Sequence, residues 1–148
     1  MEVSRRGFMA GLGALTAALV APRVARAQVH PALRRGMLEF EQNVTWASVS
    51  RAFVAQRPAW VAAVSSAQDP RQMGAQLLRL EGAMGWSSVQ DSWRQRRPGW
   101  VAQVRAADTD AAVARLLLEL EQATRWSAVS AAWRQRRGPW VAMVRSVQ

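Results

Sequence analysis

A basic run followed by a tryptophan occurs twice in this sequence. Residues 94–97 read Arg-Gln-Arg-Arg and precede Trp100, and residues 134–137 repeat the same four residues before Trp140. Guanidinium groups bind carboxylate or phosphate through paired hydrogen bonds, and they stack on aromatic rings. The runs therefore predict an anion-binding or partner-binding surface on Arg94, Arg96, Arg134 and Arg136. A related segment at residues 54–57 keeps only its last arginine, which confines this surface to the two later segments.

The last arginine of each segment follows a glutamate at a constant distance. The three pairs are Glu41 with Arg57, Glu81 with Arg97, and Glu121 with Arg137. Opposite charges that recur in one register predict a structural ion pair in each repeat, and we favour this interpretation over a polyanion-binding surface. The chain contains 20 arginines, no lysine and 10 acidic residues, for a net charge of +10. Such a charge attracts acidic polymers without selecting among them.

The only histidine, His30, predicts a different chemistry. Removal of the first 27 residues would make it the third residue, behind Gln28 and Val29. A free amino group, two deprotonated amides and a third-position imidazole can form a square-planar nitrogen site for copper(II) or nickel(II). This hypothesis requires cleavage before Gln28 and a Gln28 that has not cyclised.

The residue types argue against an enzyme. The sequence has no cysteine and no tyrosine, which excludes disulfides, thiolate nucleophiles and most acid–base pairs. Glu39 with Glu41, and Glu119 with Glu121, are two residues apart and therefore lie on different helix faces. A dyad of Glu81 with Glu121 is an alternative, but ion pairing with arginine is the favoured use. We expect a non-enzymatic protein without a cofactor.

Two consecutive arginines, a variable residue, a phenylalanine and a large apolar residue occur within Ser4, Arg5, Arg6, Gly7, Phe8 and Met9. With this motif, residues 4–27 resemble a bacterial twin-arginine (Tat) signal peptide. An apolar region too short to span a bilayer follows it. Ala25 and Ala27 form the small-x-small pattern that signal peptidase recognises, with cleavage before Gln28. The resemblance implies contact with the Tat translocase and signal peptidase, and export to the periplasm.

Residues 28–148 consist of three tandem copies of a 40-residue unit. The copies cover approximately residues 30–68, 69–108 and 109–148, and three aromatic positions recur in each: Trp46, Trp86 and Trp126; Phe53, Trp93 and Trp133; Trp60, Trp100 and Trp140. One unit cannot bury its apolar face alone, but stacked copies share a core. We predict an all-α domain, either a small solenoid-like array or a closed bundle. An open array would leave an apolar edge on the third unit, which predicts a homodimer.

The sequence of each unit predicts three helices. The first has apolar residues at i, i+4, i+7 and i+11, and this spacing forms one apolar face. Asp69 and Asp108 are predicted to cap this helix in the second and third units. The second helix carries the first two aromatic positions and is expected to end or kink near a proline, at Pro58, Pro98 or Pro139. A short third helix carries the last tryptophan, and all three aromatic positions are expected in the core.

These features together predict an exported, non-enzymatic interaction or scaffold protein. Its expected ligand is an acidic protein or an anionic component of the cell envelope. A nucleic-acid-binding helical module is the alternative if the chain stays in the cytoplasm, since export would separate it from such a partner. Copper(II) or nickel(II) binding at the mature amino terminus is a further alternative. No apolar run after the signal region is long enough to cross a membrane, so we expect a soluble mature chain.

Overall fold

Six α-helices and three short 3-10 turns form the regular structure in a computed structural model that describes residues 28–147. The helices are α1 (Pro31–Asn43), α2 (Arg51–Ser66), α3 (Pro70–Ala83), α4 (Trp93–Ala106), α5 (Asp110–Ala123) and α6 (Trp133–Arg145). The turns span Trp46–Ser48, Trp86–Ser88 and Trp126–Ala128. Each unit thus contributes an inner helix, a turn and an outer helix. The all-α prediction is confirmed.

The predicted signal peptide lies outside the described residues. This applies to the motif residues Ser4, Arg5, Arg6, Phe8 and Met9, and to Ala25 and Ala27 of the cleavage site. Gln28 is the first residue described. Between residues 28 and 147, no helix has the length and apolar character needed to cross a membrane.

The inner helices α1, α3 and α5 form because apolar residues recur at helical spacing and polar side chains cap the first turn. Asp69 caps α3 as predicted, and accepts a hydrogen bond from the backbone N–H of Gln72 at 2.8 Å. Thr109, and not the predicted Asp108, caps α5, because that helix begins directly after it and the Thr109 hydroxyl accepts from Ala112. The first three positions of each predicted apolar face are fully buried: Leu33, Met37, Phe40, Met73, Leu77, Leu80, Val113, Leu117 and Leu120. The fourth positions, Val44, Met84 and Thr124, are extended residues directly after the helix ends, so the predicted helices are shorter than their apolar spacing indicated.

The outer helices α2, α4 and α6 each continue through a proline, which corrects the prediction of two separate helices. Pro58, Pro98 and Pro139 all lie inside a helix. Proline lacks the backbone N–H that would donate within the helix, but these prolines are exposed, so their rings lie on the solvent side. Buried aromatic residues hold the helix on both sides of the proline. In α2, the rings of Phe53 and Trp60 meet edge to face at 5.9 Å.

The three units close into a ring around their inner helices. α1, α3 and α5 contact one another, while α2 packs between α1 and α3, α4 between α3 and α5, and α6 between α5 and α1. An indole N–H of each outer helix donates to a carbonyl of the next inner helix: Trp60 to Gln76 at 3.0 Å, Trp100 to Leu116 at 3.0 Å, and Trp140 to Gly36 at 2.8 Å. The domain is therefore a closed bundle. The apolar edge on which the homodimer prediction depended is covered by the first unit.

The 3-10 turns also bond to one another around the ring, at one end of the bundle. Backbone amides donate to carbonyls of a neighbouring turn in three places: Thr45 to Ala128, Gly85 to Ser48 and Arg125 to Ser88, at 2.8, 3.2 and 2.9 Å. Three further amides donate to the end of a neighbouring inner helix: Ser50 to Ala83, Gln90 to Ala123 and Ser130 to Asn43. Each turn is thus fixed by another unit, and the residues it carries occupy defined positions.

Candidate functional site

The first tryptophan of each unit lies on the surface, which corrects the prediction that all three aromatic positions are buried. Trp46, Trp86 and Trp126 have relative accessibilities of 61%, 49% and 50%. They belong to the 3-10 turns, and the next residues are extended; Val49, for example, has φ −121° and ψ 154°. This break ends the helical register between Trp46 and the buried Phe53. Three exposed indoles consequently surround one end of the bundle.

An arginine lies over each of these exposed tryptophans. The guanidinium carbon of Arg94 is 4.8 Å from the ring centroid of Trp86, and that of Arg134 is 5.0 Å from the centroid of Trp126. These distances lie within the range of favourable cation–π contacts. Unit one differs, because Val54 occupies the position of Arg94. There Arg57, from the predicted ion pair, lies 5.4 Å from the ring of Trp46.

The arginines predicted to bind a partner lie on the exposed side of α4 and α6. Arg96 is 5.5 Å from the ring of Trp93, and Arg136 is exposed. None of Arg94, Arg96, Arg134 and Arg136 forms a salt bridge with another residue of the described range 28–147. We call these four arginines, together with Trp86 and Trp126, the Arg–Trp surface.

The structure brings together the predicted glutamate and arginine of every unit. Arg97 Nε lies 2.5 and 3.0 Å from the two oxygens of Glu81. Arg137 contacts both oxygens of Glu121 at 2.6 and 3.0 Å, and Arg57 contacts both oxygens of Glu41. The glutamates are buried, whereas the arginine side chains stay 30%, 37% and 34% exposed along the chain. The hydrogen bond that Arg97 donates to Glu81 raises the pKa of Arg97 above its ordinary value.

The buried aromatic residue next to each ion pair differs among the units. The indole N–H of Trp133 donates to Glu121 at 3.2 Å. The equivalent nitrogen of Trp93 has no hydrogen-bond partner in the part of the chain that the structure describes, and Phe53 has no such group. Glu121 is therefore the carboxylate with the most donors around it. The sequence distinguishes unit one by its phenylalanine, but it does not separate unit two from unit three, because both have tryptophan at this position.

A cavity lies between the exposed tryptophan and the ion pair of each unit. The cavity volumes are about 10 Å³ in unit one, 270 Å³ in unit two and 510 Å³ in unit three. The first is small because Arg57 reaches over Trp46 and Val54 lines the remaining space. The third is extended by Gln90, from the preceding unit, and by Arg125. Small-molecule sites usually have volumes of about 300–1,000 Å³, and the third cavity lies within that range.

His30 acts as a helix cap in this structure. Its Nδ1 accepts from the backbone N–H of Ala32 at 3.0 Å, and its own backbone N–H donates to Asp110 at 2.9 Å. A copper site at a mature amino terminus would need both of these nitrogens, so metal binding would have to break the cap and the contact with α5. Within residues 28–147, no group of three or more His, Cys, Asp or Glu residues could hold a metal ion. The amino-terminal site uses backbone nitrogens and stays a prediction.

Another cavity, of about 690 Å³, lies beside His30 at the end of the bundle opposite the turns. Arg34 lines it and donates to the carbonyl of Ala67 at 2.5 Å, which satisfies the carboxyl end of α2. Two further glutamates on the helices also have local partners. Glu39 pairs with Arg35 and Glu119 with Arg115 on the helix surface, each four residues apart.

The family described as a domain of unknown function (DUF8799) matches residues 71–125. The matched segment runs from the first turn of α3 through α5, so it contains most of unit two and the inner helix of unit three. It includes Trp86, Arg94, Arg96 and the pair of Glu81 with Arg97. No curated protein and no solved structure matches the chain.

Proposed function

We propose that this chain is an exported binding protein that captures an anionic component of the cell envelope on the Arg–Trp surface. One observation carries the proposal: an exposed arginine stacks on an exposed tryptophan at equivalent places in two neighbouring units. A guanidinium that lies on an indole keeps the N–H groups at its edge directed toward solvent, where they can bind carboxylate or phosphate. The stacked tryptophan adds apolar area that a ligand can cover.

The charge around this surface favours an anionic ligand. The nearest buried carboxylates, Glu81 and Glu121, are each neutralised by the last arginine of their own run. The four arginines of the Arg–Trp surface therefore contribute about four uncompensated positive charges. From residue 28 onward the chain has 16 arginines and 9 acidic residues, so a positive charge would also remain after removal of a signal peptide.

The buried ion pairs have a positioning role in this proposal. Arg97 and Arg137 follow Arg94 and Arg134 by three residues on the same helix, so each pair of arginines lies on adjacent turns. Anchoring Arg97 to Glu81 fixes the rotation of α4 and thereby directs Arg94 toward Trp86. The structural pairing and the binding surface are then complementary, because they use different arginines of the same run.

Charge reversal with a matched control tests the proposal. One variant changes Arg94, Arg96, Arg134 and Arg136 to Glu, and the control changes Arg71, Arg79, Arg105 and Arg145 to Glu. The control arginines are also exposed and form no salt bridge among the described residues. Binding of labelled polygalacturonate, polyphosphate and polyglutamate is measured by fluorescence anisotropy at low and moderate salt. Both variants must first give the helical circular dichroism of the parent protein.

We expect the parent protein to bind polygalacturonate or polyphosphate, and the first variant to lose affinity by about 30-fold or more. The four arginines would form four exposed ion pairs with the polymer, each contributing up to about 1 kcal/mol, so we expect a loss of roughly 2 kcal/mol in binding free energy. The control variant should lose much less. Equal losses of affinity in the two variants would show that the polymers respond only to the net charge of the protein and not to the Arg–Trp surface. Absence of binding to all three polymers would refute the proposal. Binding of polyglutamate alone would indicate an acidic protein as the partner instead.

Export is the second part of the proposal, and the resemblance of residues 4–27 to a twin-arginine signal peptide supports it. The intact mass of the protein recovered from periplasmic and cytoplasmic fractions tests it. We expect a periplasmic species that begins at Gln28, and a mass lower by one ammonia would indicate that Gln28 has cyclised and cannot bind copper. A full-length species in the cytoplasm would refute export and favour a nucleic-acid ligand.

A further inference from the structure

The cavity of unit three combines an apolar wall with a polar floor. The indole of Trp126 forms the wall and is half exposed, with Arg134 over part of its ring. The pair of Glu121 with Arg137 lies at the floor. Arg125 lines the cavity as well. It is held in place by hydrogen bonds of 2.8 Å to the carbonyl of Val89 and to the carboxylate of Asp91.

The floor offers both an acceptor and donors. A carboxylate has about four acceptor positions, and Glu121 uses three of them, two for Arg137 and one for Trp133. One acceptor position and the remaining N–H groups of Arg137 have no partner among the described residues. A ligand that satisfies this floor has to donate as well as accept. Hydroxyl groups do both, whereas ionised carboxylate and phosphate groups only accept.

We propose that the cavity of unit three binds one acidic sugar, a hexuronic acid residue of a polysaccharide. The C–H face of the sugar ring packs on Trp126, its hydroxyl groups bond to Glu121 and Arg137, and its carboxylate pairs with Arg134. This inference rests on the proposed function and narrows its anionic ligand to one chemical class. The cavity volume of about 510 Å³ accommodates a single sugar ring with neighbouring sugars extending into solvent.

Unit one provides an internal comparison for this assignment. It has an exposed tryptophan, Trp46, and a buried ion pair, but its cavity is only about 10 Å³. Val54 replaces the arginine that would pair with the sugar carboxylate. Trp46 and Trp126 are therefore matched residues, equally placed in their turns, of which only Trp126 faces a cavity of ligand size.

The test compares Trp126→Ala with Trp46→Ala in the purified protein. Both tryptophans are exposed, so neither substitution opens the core, and helical circular dichroism checks this. Isothermal titration uses three probes: a trigalacturonate, the same trisaccharide with its carboxyl groups reduced to hydroxymethyl groups, and a triglutamate peptide of equal charge. We expect trigalacturonate to bind most tightly of the three. Trp126→Ala should weaken its binding at least tenfold, and Trp46→Ala by less than twofold.

The other outcomes separate this inference from the proposed function. If trigalacturonate and triglutamate bind equally and neither depends on Trp126, the sugar site is refuted while the anionic surface stands. If the reduced trisaccharide binds as well as trigalacturonate, the acidic-sugar assignment is overturned. If binding of the reduced trisaccharide depends on Trp126 but not on the four arginines of the Arg–Trp surface, the proposed function fails as well. Equal losses in Trp126→Ala and Trp46→Ala would also refute the site.

Discussion

Removal of one partner from a buried ion pair should destabilise this bundle far more than removal of both. The side chain of Glu81 is 7% exposed, and both of its oxygens bond to Arg97, which is 37% exposed. In the Arg97→Leu variant the carboxylate would stay buried without either bond. In the double variant Glu81→Leu/Arg97→Leu, two apolar side chains would replace the pair, and no buried charge would remain.

The geometry sets the expected magnitudes. Breaking a buried pair costs about 3–5 kcal/mol. We expect about 3 kcal/mol for Arg97→Leu, because the exposed side of the arginine gives water access to the carboxylate that remains. The double variant should lie within about 1 kcal/mol of the parent, since apolar replacement of a whole pair is often neutral. Domains of this size are stable by about 5–15 kcal/mol, so the single variant should still fold.

Urea unfolding followed by far-ultraviolet circular dichroism measures these differences without depending on tryptophan fluorescence. Arg71→Leu is the control, because Arg71 is exposed and has no carboxylate partner among the described residues. Its free energy of unfolding should change by no more than about 0.5 kcal/mol. A loss for Arg97→Leu as small as that of the control would show that the buried carboxylate of Glu81 does not need its arginine partner. A double variant as unstable as the single one would contradict the prediction as well, because it contains no buried charge.

Two further predictions concern the closure of the ring. A Cβ atom on Gly36 would lie 2.6 Å from Cγ2 of Val144, and valine has little rotamer freedom in a helix with which to move away. Gly36→Ala should therefore lower the free energy of unfolding by about 1–2 kcal/mol, measured by thermal unfolding. Gly82→Ala is its matched control, since nothing lies within 4 Å of that position, and a gain of about 0.5–1 kcal/mol is expected. Trp140→Phe removes the 2.8 Å bond to the Gly36 carbonyl and should cost about 1–2 kcal/mol. Unchanged stability would mean that the first and third units pack without this bond.

The features that were predictable from sequence are those fixed within one unit. The apolar faces of the inner helices follow from spacing alone, because residues at i, i+4 and i+7 must share a helix face. The contact between Glu121 and Arg137 follows from a register that recurs three times. The cap of α3 follows from an aspartate before a proline at a helix start.

The exposed tryptophans were not predictable from spacing. Trp46, Val49 and Phe53 are separated by three and four residues, as on one face of an α-helix, but a 3-10 turn and an extended residue intervene. The backbone bonds that hold this turn come from Ala128 and Ala83, in other units. Periodicity within one segment contains no information about those partners.

The continuous outer helices and the closure of the ring were also not predictable from spacing, because both depend on tertiary packing. A proline in a helix interior usually ends or kinks the helix, and the outcome at Pro58 is decided by tertiary packing of Phe53 and Trp60 on either side. An array and a ring of three units share one repeat pattern. They differ only in the angle between neighbouring units, which depends on how the buried side chains fit.

The ring also determines how this molecule could change in size. In a linear repeat protein each unit contacts only its neighbours, so another copy lengthens the molecule and end units can unfold separately. Here the indole of Trp140 bonds to the first inner helix, and every unit has two neighbours. A duplicated unit could not be added without opening that contact and widening the centre, and a deleted unit would leave two apolar surfaces uncovered. Three is therefore the number of units at which this sequence completes its core.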